Sequence, residues 1–90
     1  MDVVPVLDLK HGLVVRARLG DRASYAPIVT PLAPNAEPVE VARGLMRLFP
    51  FRRLYLADLD GIEGRERNDA TVAALAAAFP DLELWVDNGL

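Results

Sequence analysis

The chain has 90 residues, ten Lys and Arg against thirteen Asp and Glu, a net charge of −3 and no cysteine. This excludes disulfides, thiolate metal sites and a cysteine nucleophile, and it leaves no basic surplus for a nucleic-acid partner. Hydrophobic residues make up 52%, above the roughly 45–50% of ordinary domains, so a domain with so little interior should carry apolar surface meant for neighbours.

Val3 to Asp8 is a continuous apolar run that ends in a carboxylate, the pattern of a strand buried on both faces in a parallel sheet. Lys10-His11-Gly12 reads as a tight turn into a second extended run, residues 13–19, closed by Gly20-Asp21. Residues 20–37 hold Pro27, Pro31 and Pro34 and are expected to be irregular. A helix starts at Pro38, with Asn35 or Glu37 near its cap and Glu40 in its first turn. Its apolar stripe is Val41, Ala42, Leu45, Leu48 and Phe49, and Pro50 stops it. Arg53 to Leu59 is the next strand, followed by a charged loop from Gly61 to Arg67. A second helix runs from about Asp69 to Phe79 and ends at Pro80; Leu82 to Val86 is the third strand, finishing in Asp87-Asn88-Gly89.

Strands alternating with helices of this length imply a parallel α/β sheet with crossover connections. The three main strands end in Asp8, Asp58 and Asp87, and parallel pairing is expected to bring these carboxylates to one rim. Such a rim suits general acid–base chemistry: one carboxylate takes a proton beside a carbonyl or imine while another group protonates a leaving oxygen. The bland alternative is that strand-end acids cap neighbouring helices or face solvent. Asp8, on the most apolar strand, is the leading catalytic candidate.

Other motifs are weaker. Asp58-Leu59-Asp60-Gly61 begins like a calcium loop, but Ile62 stands where the third acid belongs and Asp69 where the bidentate Glu belongs, so no metal site is expected. A Mg²⁺ among the three carboxylates, as in phosphoacceptor modules, would call for a helix directly after strand 1. The lone histidine, His11, suits a solvated turn. Lys10 could reach an anion over the strand ends. Asn88-Gly89 is either a hairpin turn or, in a parallel context, a backbone cradle for phosphate. The Gly61–Arg67 loop could close over a phosphorylated ligand or be ordinary surface. No apolar stretch approaches the ~20 residues of a membrane helix, and a cytoplasmic protein is expected.

The segments Pro5 to Lys10 with Gly12 and Arg16, Pro38 with Val41-Ala42, Leu54 to Gly61, and Asn68 before a helix together resemble the start of the histidine-biosynthesis barrels. Gly20-Asp21-Arg22, Tyr25 with Pro27, and Asp58 to Gly64 resemble the isomerase-related group of methanogens and methylotrophs more closely. The resemblance implies a parallel (β/α)₈ barrel whose ligand is a phosphorylated small molecule and whose chemistry is an Amadori-type aldose–ketose rearrangement, without a cofactor. It gives Asp8 the part of general base and sets Gly89 at the last of three glycines in a phosphate loop, with Asn88 and Lys10 as further phosphate candidates. Here Asp87 and Asn88 replace the first two glycines, putting an acid where a phosphate would sit. A barrel needs ~250 residues, so the chain matches only the first three strands and two helices, one partial domain ending after strand 3. Strands 1 and 3 would then be open edges, through which copies could associate.

Overall fold

Val6–Lys10 forms β1, the centre of a five-stranded sheet. The structure, a computed structural model, describes residues 3–18 and 21–90. In chain order, β1 is followed by β2 (Leu13–Arg18), β3 (Asp21–Pro27), α1 (Pro38–Leu48), β4 (Arg53–Asp58), the single-turn α2 (Leu59–Ile62), α3 (Asp69–Ala78) and β5 (Glu83–Asp87). The sheet order is β3-β2-β1-β4-β5. β1, β4 and β5 run parallel, each pair joined through helical structure, whereas β2 and β3 form an antiparallel arm on β1.

Residues 20–37 are therefore not irregular throughout, because Asp21–Pro27 pairs with β2. Pro27 is compatible with this because it closes an edge strand, where a missing N–H costs little. Nor is β1 an outermost strand: the arm pairs with its last three residues on one side and β4 lies along the other, so the outermost edges belong to β3 and β5. The segment read as a charged loop opens inside a helical turn, since Gly61 and Ile62 complete α2. Leu19 and Gly20, read as the end of the extended run, lie outside the described residues.

The core lies on one face of the sheet. Alternate strand residues Leu7, Leu9, Leu54 and Leu56 are buried against Val41 and Ala42 of α1 and Leu75 of α3, with Val14 and Phe51 completing the layer. Proline at the first position starts α1, and Asn35 Oδ1 accepts from the Glu37 amide just before it. The helix ends at Phe49, ahead of Pro50. No helix among the described residues is long and apolar enough to cross a membrane.

No described helix covers the other face. Val6 (60% exposed), Tyr55 and Trp85 (47% exposed) stand on it in one row, since Val6 pairs with Tyr55 and Tyr55 with Trp85. Below them Arg53 and Glu83 pair across β4 and β5 at 3.0 Å.

Candidate functional site

Side chains alternate between the two faces of a strand, so register decides which acids meet. Asp8 pairs with Ala57 and Ala57 with Asp87, one row at the C-terminal end of the parallel strands, on the uncovered face. Two strand spacings separate the acids, about 10 Å. That is too far to share a proton, and the small Ala57 side chain leaves room between them. Burial pushes the Asp8 carboxyl above its ordinary value. Lys10 stands two residues beyond Asp8 on the same face, about 7 Å along the strand, with its Nζ 5.7 Å from the centre of the Tyr25 ring. Tyr55 Oη lies 3.5 Å from Asp87 Oδ2.

Asp58 does not join this row. It pairs with Leu9 rather than Asp8 and points to the helix side, where it is 1% exposed. The expectation of three carboxylates on one rim is corrected to two, for the period-2 reason that Leu54, Leu56 and Asp58 share a face. The Asp58 oxygens accept from the amides of Gly61 (3.1 Å) and Asn68 (2.7 Å) and from Asn68 Nδ2 (2.7 Å). The bland reading of a strand-end acid as a cap describes this one.

Two residues not singled out from the sequence as site residues complete a buried network. Asn68 Nδ2 also donates to Asp60 Oδ2 (3.0 Å), while Asn68 Oδ1 accepts from the Gly12 amide and Asp60 Oδ2 from the His11 amide, both at 2.7 Å. Arg65 Nε donates to Asp60 Oδ1 at 3.0 Å. Burial alone would raise the Asp60 carboxyl, but the His11 amide, Asn68 and Arg65 outweigh it and hold the value at about 2. No local pattern pointed to them, because the turn amides they meet lie 49 and 56 residues earlier in the chain. His11 itself is exposed, in a two-residue turn where it and Gly12 have φ of 52° and 77°.

The segment after β5 makes no hairpin. The Gly89 amide donates to Asp87 Oδ1 and the Leu90 amide to Asn88 Oδ1, each at 3.2 Å. Gly89 has φ of 84°, and a Cβ there would sit 2.7 Å from the Gly61 carbonyl oxygen, so the two glycines let this segment rest on α2. An anion cradled by these amides would have to displace the Asp87 and Asn88 side chains. Among the described residues, no group of three His, Cys, Asp or Glu is arranged to hold a metal ion.

The chain matches the family model described as "Histidine biosynthesis protein" over residues 2–90. It is 40% identical over its whole length to a protein of Thioalkalivibrio sulfidiphilus named 1-(5-phosphoribosyl)-5-((5-phosphoribosylamino)methylideneamino)imidazole-4-carboxamide isomerase, covering 35% of that relative. Proteins of the same name from Chromohalobacter salexigens and Halorhodospira halophila are 37% and 38% identical, with all of this chain covering 34% of each. The chain thus spans about a third of the length of these relatives. No solved structure gave a significant match. The parallel β1, β4 and β5 are compatible with that match, and the match itself, running from residue 2 to residue 90, places this chain in the histidine biosynthesis protein family.

Proposed function

We propose that this chain forms the first three parallel strands of a (β/α)₈-barrel isomerase acting on a phosphorylated aminosugar, and that Asp8 is its general base. The observation that carries this reading is Asp8 itself. It stands at the C-terminal end of a central parallel strand, where α/β barrels hold their chemistry, on the face the helices leave open. Burial favours its neutral form, which brings its proton affinity closer to that of a working base. In an aldose-to-ketose rearrangement the ring-opened aminosugar is an imine. With that imine protonated on nitrogen, Asp8 would take the proton from the adjacent carbon, C2, and the C–H pair would form a C1–C2 double bond as the C=N pair moves onto nitrogen, giving an enaminol. Return of a proton to C1, with loss of the C2 hydroxyl proton, would leave the aminoketose. The acid that opens the ring is assigned to the part of the barrel that this chain does not span. Lys10, beyond Asp8 on the same face, is suited to a phosphate oxygen. Asn88 and Gly89 are proposed for a phosphate only once the Gly89 and Leu90 amides leave the Asp87 and Asn88 side chains that now accept from them.

The test is a chimera in which these 90 residues replace the matched third of the Thioalkalivibrio isomerase. Conversion of that enzyme's substrate is expected, with Asp8→Asn lowering kcat about a hundred- to ten-thousand-fold. A folded chimera without activity, or one indifferent to Asp8→Asn, would overturn the assignment. A second reading, association of copies through the open β5 edge, is favoured by the exposure of Trp85 and Val86 on that strand. A monomer by sedimentation removes it.

A further inference from the structure

The β1–β2 turn is held in an unusual way. In a two-residue hairpin the central amides point away from the ladder and ordinarily meet water. Here the amides of His11 and Gly12 end on the side chains of Asp60 and Asn68, 49 and 56 residues away in sequence. Both acceptors are buried, and Asn68 is bonded through both its amide nitrogens to Asp58 at the end of β4. No buried side-chain nitrogen or oxygen among the described residues lacks a partner. A network so completed is rigid. It joins the ends of β1 and β4 at the level where Asp8 sits beside Ala57.

We infer that Asp60 and Asn68 are positioning residues for Asp8: by gripping the two turn amides they fix the end of the strand on which it stands. The inference rests on the reading of Asp8 as the reacting group. Nothing in the grip touches the open face, so it acts on Asp8 only through the backbone from Leu9 to Gly12. Apolar side chains in their place could not accept from the two amides of a turn whose residues are both left-handed.

The experiment is an NMR titration of the Asp8 carboxyl in the 90-residue chain and in Asp60→Ala, Asn68→Ala and Asp60→Asn. Lys10, Tyr25, Tyr55 and Asp87, with Arg53 and Glu83 further down the same face, are identical in all four. In the alanine variants the strand end gains water, and the Asp8 midpoint is expected to fall toward the ordinary carboxylate value. Asp60→Asn keeps an oxygen for the His11 amide while giving up the charge that Arg65 meets, and it should leave the Asp8 midpoint in place. Folded alanine variants in which Asp8 titrates unchanged, or an Asp60→Asn that moves it as far as alanine does, would overturn the inference. Should the alanine variants not fold, hydrogen exchange in the unsubstituted chain decides. The His11 and Gly12 amides are expected to exchange as slowly as those of Gly61 and Asn68; exchange about a hundredfold faster or more would refute the grip. These readouts follow titration and exchange, not turnover, so their failure is distinct from a failure of the chimera.

Discussion

Burial lifts the Asp8 carboxyl above its ordinary value, which means that the folded chain holds the neutral acid more comfortably than the anion. For a group shifted this way, the stabilisation is full below the unfolded-state value and is lost as pH rises through the folded one. At neutral pH, therefore, ionised Asp8 works against the fold. Asp8→Asn is expected to raise the denaturation midpoint of the chain at pH 7, an advantage that shrinks to nothing as the pH falls below about 4. Urea denaturation of both forms at the two pH values checks this. An asparagine chain no more stable at pH 7 would show that Asp8 is better hydrated than its place on the sheet implies. Read with the chimera, the same substitution should add stability while removing turnover, the trade-off expected of a group retained for chemistry.

Helix α1 shows how closely the elements approach. Gly44 is buried under the segment that leads into the helix, and a Cβ there would run into the Leu32 carbonyl oxygen, a backbone atom that cannot swing aside. Gly44→Ala is expected to cost about 1–3 kcal/mol, which calorimetry would record as a melting temperature lower by about 4–8 °C per kcal/mol. An unchanged melting temperature would mean that the 31–36 segment is free to move away. That segment is also where the sequence misleads. The helices were legible because Val41, Ala42 and Leu45 recur at helical spacing and prolines mark the limits of α1. The parallel strands were legible as apolar runs, broken in β5 only by Glu83. β3 was hidden because the prolines after it resemble a loop throughout, while the pairing that makes it a strand is supplied by β2, ahead of it in the chain. The facing of Asp58 could have been read from Leu54 and Leu56 by counting in twos. The role of Asp60 and Asn68 could not, since it depends on a turn some fifty residues earlier.

Taken whole, the molecule is a sheet with helices on one side only. The row of Val6, Tyr55 and Trp85 is the uncovered remainder, and it accounts for a composition too apolar for a lone domain of this size. If the proposed barrel is right, that row lies inside it, and Trp85 reports on closure. Its fluorescence is expected to shift to shorter wavelength in the chimera relative to the 90-residue chain, and to become less accessible to a soluble quencher. Emission unchanged in an active chimera would place Trp85 outside the barrel. The antiparallel arm adds a constraint of its own. It pairs only with Asp8, Leu9 and Lys10, the last three residues of β1, and leaves Val6 and Leu7 free on that side. Any strand that continues the sheet beyond β1 must therefore dock along the lower half of that edge and stop short of the arm, so the proposed barrel would close from below, with its upper lip on that side already built.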